Sequence, residues 1–215
     1  MSQSTSRRSS GTSRKRVWCG SAPATAQKKR DDAAFERCRE ELQALRDQAQ
    51  AGAIELVYFD ESGFAQVHPN RSAWTPCGEQ HCIEAPRGQR LNVMAALFSS
   101  GKAVHTRCWS SSTAELFLGF VAEVAKHATK PVVIVLDNAS IHRAAAIQPA
   151  LKLLQKSGVT LKFLPPYSPE LNRIEVMWRL MKHRWLALKR RSKEELEQAV
   201  DHVFANFGGK FTREF

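Results

Sequence analysis

Pro131–Asp137 reads PVVIVLD, a continuous apolar run of strand length that ends in a carboxylate. An unbroken run of β-branched residues, in place of an alternating one, marks a strand covered on both faces. Strands of that kind belong to sheets with helices packed on them. On the N-terminal side, Ile54–Asp60 (IELVYFD) predicts a second central strand that ends at Gly63 and also runs into an acid. SAWTPCGEQHCIEA (72–85) predicts a turn and a further strand, and RLNVMAALFSSGKAVHTRCW (90–109) a hairpin turning over Ser99–Lys102. Helical spacing of apolar residues marks Thr113–Ala128, where Ser112 and Glu115 form a capping box, and Ala144–Ser157, stopped by Gly158. VTLKFLP follows as a strand, and Ile174–Leu188 and Ser192–Phe207 as the last helices. Strands first, then β-α-β-α-α, predict an α/β fold: a mixed sheet with an antiparallel start, parallel later strands and helices on its faces.

The bulk properties bound the function. The chain has 215 residues, 43% of them apolar, with five Trp and eleven Phe, the composition of a globular protein. A net charge of +11 and a pI near 9.8 point to a polyanionic partner, nucleic acid first. No apolar run approaches the ~20 residues of a spanning helix, and the N-terminus lacks the apolar core of a secretory signal. A membrane role is not expected. Five cysteines, an odd number, are no disulfide framework and read as reduced thiols of a cytosolic protein. Cys77, His81 and Cys82 resemble half a zinc site, but a structural zinc needs four ligands and no second set is evident. Residues 1–30 carry eight Lys/Arg and no acid, and read as a disordered basic arm. Residues 31–52 read as one amphipathic helix or linker, with Phe35, Cys38, Leu42 and Leu45 spaced by three and four.

Three acids fall at telling points. Asp60 ends one strand, Asp137 ends the buried one, and Glu175 opens the helix after the prolines of LPPYSPELNRIE. Carboxylates at the edge of a dry core are costly unless a cation or several donors compensate them. Together they are the parts of a site for magnesium, which prefers oxygen ligands; paired ions about 4 Å apart serve phosphodiester chemistry. Each acid also has a local reading. Asp60 and Asp137 open the turn-rich tetrads DESG and DNAS, and Glu175 stands three residues after Asn172, as in a capping box. A Ser140/His142 hydrolase arrangement is set aside, because no G-x-S-x-G elbow is present.

YFDESGF with Trp74, Pro76 and Gly78, then VIVLDNASIHRA, then FLPPYSPELNRIEVMWRLMK, in that order, resembles the catalytic domain of insertion-sequence transposases of the Tc/mariner superfamily. The resemblance runs from Glu55 to the C-terminus. It implies an RNase H-like fold, a mixed five-stranded sheet with helices on both faces, over a catalytic domain of residues 53–215. Carried over by motif, the three catalytic and metal-binding acids fall on Asp60, Asp137 and Glu175, 38 positions separating the last two. The implied cofactor is a pair of Mg²⁺ ions, with Mn²⁺ as substitute. The implied activity is cleavage of transposon ends and transfer of the freed 3′-hydroxyl to target DNA, without a covalent protein–DNA intermediate. The implied partners are transposon-end and target DNA and further copies of the chain, in a bacterial cytoplasm at the nucleoid.

Asn138 and His142 match positions beside the family's site, where they steady a water or a phosphate or simply order the loop. Tyr167 and Ser168 shape the strand-to-helix turn. Arg173 stands where the family has Pro, which suits a first helical position. Fewer residues precede Asp60 than a helix-turn-helix domain of the family occupies, so a chain lacking that domain is expected. A non-autonomous DNA-binding remnant that co-assembles with full-length transposase is therefore the alternative reading.

Between Arg173 and Lys193 there are eight Lys/Arg against one acid, Glu175. Ile174, Met177, Trp178, Met181, Trp185 and Leu188 form one apolar stripe, the face expected to pack on the sheet. Arg173, Arg179, Lys182, Lys189, Arg190 and Arg191 are the candidate contacts to DNA phosphates; the alternative is a solvated basic helix.

Overall fold

The computed structural model describes residues 30–66, 90–186 and 189–211. The basic arm, the Cys77–Cys82 cluster and the strand expected over 72–85 lie outside the described residues, apart from Arg30.

Five strands form one mixed sheet in the order β3-β2-β1-β4-β5. They are β1 (Glu55–Ala65), β2 (Arg90–Phe98), β3 (Ala103–Cys108), β4 (Val132–Leu136) and β5 (Val159–Phe163). β1, β2 and β3 pair antiparallel, while β1–β4 and β4–β5 pair parallel. The antiparallel start and parallel continuation are those the sequence predicts. β1 does not end at Gly63 but runs on to Ala65, because β2 stays paired with it to Arg90. The hairpin turns where expected, with Gly101 at φ +90°, a conformation glycine adopts without steric cost.

The period of two along β1 sorts its side chains onto two faces. Leu56 and Tyr58 enter a core shared with α1 (Asp32–Gln50), α4 (Ile174–Leu180) and α5 (Lys193–Ala205). Val57 and Phe59 enter a second core with Phe117, Phe120, Val121 and Val124 of α2 (Ala114–Lys126), flanked by α3 (Gln148–Lys156). Helices thus cover both faces. Cys38 and Leu42 of α1 are fully packed in the first core, so this helix is one element of the layer over the sheet.

Three helix boundaries differ from expectation. α2 is capped by Thr113, whose hydroxyl accepts from Leu116 N, and not by Ser112. The segment from Ser140 to Ile147 forms two short 3₁₀ turns, and α3 begins only at Gln148. Pro149 explains this, since proline fits the first turn of a helix and not its interior. The helix expected over Ile174–Leu188 is α-helical to Leu180 and continues as one wide π turn, Met181–Trp185. Leu186 then swings into the core, with its N–H donating to Met181 O at 3.1 Å. α5 carries the full capping box of Ser192 and Glu195, at the start the sequence marks.

Candidate active site

β1 and β4 pair only from Glu55↔Val132 to Tyr58↔Val135. Continuing that register by two residues sets Asp60 level with Asp137. Beyond this point β1 follows β2 while β4 has ended, so a notch opens at the carboxyl end of β4. The notch lies where the chain's course on the sheet reverses, the usual place for a site in α/β folds. The chain leaving β5 crosses it as LPPYSP and turns into α4. Asp60, Asp137 and Glu175 line one cavity of about 370 Å³ there, together with Asn138, Asn172 and Tyr167.

Asn172 anchors the turn. It is buried, and its side-chain amide donates to Phe59 O at 2.9 Å, next to Asp60. The capping-box reading of Glu175 therefore fails: the side chain expected to cap α4 is bound to β1, and α4 has no side-chain cap. The local reading of Asp137 holds in part, because its Oδ1 accepts from Ala139 N at 3.2 Å.

Each acid meets a different environment. Burial pushes Asp60 up to about 7, and the negative charges of Glu175 and Asp137 add to the rise. The indole N–H of Trp178 donates to Asp60 Oδ2 at 3.1 Å and opposes it. Burial also raises Glu175, with Lys182 drawing it down and Asp137 pushing it up. Asp137 goes the other way, held below its ordinary range by His142, whose Nδ1 lies 3.1 Å from Oδ1. His142 is buried against the rings of Phe59 and Phe117. Burial opposes its charge, but Asp137 and Glu61 outweigh that and push it up to about 9. The Glu61 contribution is electrostatic: Oε1 stands 3.8 Å from His142 Nε2, too far for a hydrogen bond, and both atoms are buried without another partner.

The basic residues separate. Lys182 is half-buried near the acids and over the Phe64 ring, and burial, with Arg90 nearby, lowers its pKa. Arg179, Lys189 and Arg190 are exposed, Lys189 pairing with Glu195 at 3.2 Å. Arg173 lines a different cavity, between α1 and the start of β1. Arg191 is buried, donating to Lys189 O while its backbone bonds Gln66. A guanidinium so enclosed is not presented to a ligand on the surface. Trp178 and Trp185 pack in the core, as the apolar stripe predicts, but the polar edge of Trp178 also serves the site.

Two partners were not identified from the sequence. Glu61 follows Asp60 and so points to the opposite face, and strand alternation could have placed it with Phe59. Its meeting with His142, and that of Trp178 with Asp60, join residues remote in sequence and left no local signal.

The donors suit a hard cation. Three carboxylates and the buried, unpartnered Oδ1 of Asn172 offer oxygen alone. The mutual repulsion that raises Asp60 is what a divalent ion relieves. Among the described residues no group of three or more His, Cys, Asp and Glu side chains is already drawn together as a metal site. The acids turn to nearby donors, Asp137 to His142 and Asp60 to Trp178.

Sheet order, helices on both faces and an acidic notch at the strand ends define an RNase H-like core of the kind found in DDE enzymes. Residues 55–197 match the model of the DDE superfamily endonuclease family, and the chain belongs to that family. It is 38% identical over 73 residues to the uncharacterized protein y4pE/y4sA of Sinorhizobium fredii (strain NBRC 101917 / NGR234), covering 34% of this chain and 48% of that one. The chain thus spans about half the length of that curated relative. The fold is similar to the catalytic domain of Mos1 mariner transposase, with TM-score 0.58 and 17% identity over 84% of this chain and 85% of that one. The Mos1 mariner paired-end complex with Mn matches at TM-score 0.65 and 17% identity, over 87% of this chain and 59% of that one. Among the described residues no helix is long and apolar enough to cross a membrane.

Proposed function

We propose that this chain carries the catalytic domain of a Tc/mariner-type transposase, cutting DNA strands and joining the freed 3′-ends to a second DNA. The observation that carries the reading is the meeting of Asp60, Asp137 and Glu175, from three distant segments, on one cavity at the strand ends. A DNA-binding remnant has no use for three acids lining one cavity, where Glu175 and Asp137 repel the charge of Asp60 and no ligand offsets it.

In this reading Asp60, Asp137 and Glu175 hold two Mg²⁺ ions, or Mn²⁺ in their place. When bound, such ions activate the attacking oxygen and stabilise the leaving one in phosphodiester displacement. The chain's own groups do the rest. His142 fixes the direction of Asp137, Trp178 that of Asp60, and Asn172 the start of α4. Asn138 lines the same cavity, and Lys182 brings positive charge to a phosphate beside the acids. Arg179, Lys189 and Arg190 attract the flanking backbone. Two copies or more assemble on paired DNA ends, in the cytoplasm at the nucleoid.

The test is a strand-transfer assay with Mg²⁺ or Mn²⁺ on this chain and on Asp137→Asn. The wild type is expected to cut and join, and the variant to do neither. Equal activity in both, or none in either, overturns the catalytic reading. Cutting without joining leaves a nuclease of the same fold.

A further inference from the structure

Among the described residues two large apolar side chains are strongly exposed, Leu153 and Tyr167. Of the two, only Tyr167 lines the acidic cavity, with 57% of its surface open to solvent. It is also the one non-glycine residue there with positive φ, at +57°. For a bulky side chain that conformation is strained, and it persists only where the surroundings impose it. They do so here. Pro165, Pro166 and Pro169 restrict the backbone on both sides, and the buried Ser168 hydroxyl donates to Pro166 O at 3.3 Å.

Shaping the turn does not account for this residue. Glycine makes the same turn without strain, and a ring left in solvent adds nothing to the core. The phenol hydroxyl makes no hydrogen bond among the described residues. What the turn does achieve is to set a solvent-exposed aromatic ring on the lining of the cavity. The lining is then of two kinds, apolar groups from Leu164, the prolines and Tyr167, and the three acids. A nucleotide divides the same way, into a flat apolar base and a phosphodiester that meets metal-bound carboxylates.

We propose that Tyr167 is a stacking platform for an unpaired base next to the phosphate at the acids. This rests on the DNA-cleaving reading and adds a base subsite to it. Paired bases present no free face, so the platform selects DNA in which one base beside the reacting phosphate has left the duplex. The turn fixes the direction in which the ring leaves the backbone, so no backbone freedom need be lost on binding.

The experiment compares two short duplexes, one carrying a single unpaired 2-aminopurine and one fully paired, with Ca²⁺ replacing Mg²⁺ so that binding is read without turnover. The wild type is expected to bind the first more tightly and to quench its fluorescence. Tyr167→Gly suits the left-handed backbone and should melt at or above the wild-type temperature. It should lose the quench and bind the unpaired-base duplex roughly five- to a hundredfold more weakly, the range of one aromatic–base stack. Its affinity for the paired duplex should not change. Tyr167→Asn, which also tolerates this backbone, is a second ringless variant, and Tyr167→Phe and Tyr167→Trp should behave as wild type. Wild-type binding and quenching by Tyr167→Gly and Tyr167→Asn overturn the platform alone. A wild-type chain that binds neither duplex overturns the DNA reading and the platform with it.

Discussion

The imidazole of His142 lies between two carboxylates, 3.1 Å from Oδ1 of Asp137 just past the end of β4 and 3.8 Å from Oε1 of Glu61 on β1. Because His142 is buried and wedged against Phe59 and Phe117, it cannot follow Asp137 if that side chain moves. His142→Phe keeps the aromatic packing and removes both nitrogens. Strand cleavage is expected to fall about ten- to a hundredfold, the usual effect of removing an outer partner of a metal ligand. Asp137 and Glu61 would then face an apolar ring, costing about 1–3 kcal/mol in urea unfolding. Unchanged cleavage in a variant with that loss of stability would show that the His142 nitrogens serve the fold and not the cleavage reaction.

Trp178 supplies the matching restraint on Asp60. Its indole N–H is a counterweight to burial and to Glu175 in setting the Asp60 pKa near 7. Trp178→Phe retains most of the ring volume in the core and deletes the donor. Asp60 then binds its proton more tightly, and a metal must compete with it. The Mg²⁺ concentration for half-maximal cleavage should rise several-fold near neutral pH, and the rise should fade as the solution becomes more alkaline. A Mg²⁺ titration at two pH values decides it; equal midpoints for variant and wild type refute the role.

How much of this was legible depends on the kind of signal. PVVIVLD and IELVYFD announce buried strands because apolar runs encode burial directly; Asp137 does mark the end of β4, but Asp60 lies midway along β1, which β2 keeps paired as far as Ala65. Glu175 is recognisable as a site residue only together with the other two; alone it reads sooner as a helix cap than as a ligand. That reading fails because Asn172 is committed to Phe59 O, a pairing across 113 positions that no local pattern reports. The late start of α3 was readable from Pro149. The π turn after Leu180 is not, since apolar spacing continues to fit an α-helix through Met181, Trp185 and Leu188. Arg191 shows the limit of counting charges. It stands in a basic run, yet the chain folds it inward.

That difference among the arginines is measurable. Arg179 is exposed on α4, and Arg191 is buried under the start of α5. A phosphate contact releases counterions, so its loss shallows the dependence of log K on log salt by about 0.9 per charge. Arg179→Ala should show this reduction and weaken binding to all DNA sequences alike. Arg191→Ala should leave the slope unchanged and cost about 1–3 kcal/mol of stability, as expected for a buried charged donor. DNA binding across a salt series, with urea melts of both variants, separates the two. The reverse assignment would show that Arg191 reaches DNA through a rearranged loop.

Away from the site, the outer strand β3 is fastened to α5 by Asp201, which receives His105 Nε2 at 2.9 Å and Arg107 Nη2 at 2.8 Å. Burial alone raises the Asp201 pKa, but hydrogen bonds from His105 and Arg107, with the attraction of their charges, more than offset it and hold it below the usual range. A folded-state pKa below the unfolded one means the carboxylate stabilises the fold above the unfolded value, about pH 3.9. That contribution is lost as pH falls through the lower, folded value. Because Asp201 is 43% exposed, solvent screening limits it to roughly 1 kcal/mol. Asp201→Asn should therefore be less stable than wild type by about that much at neutral pH. The two should converge as the solution is acidified through the carboxylate range. Urea midpoints across that range test this; a gap that persists unchanged into acid would mean the asparagine fails through packing and not through lost charge.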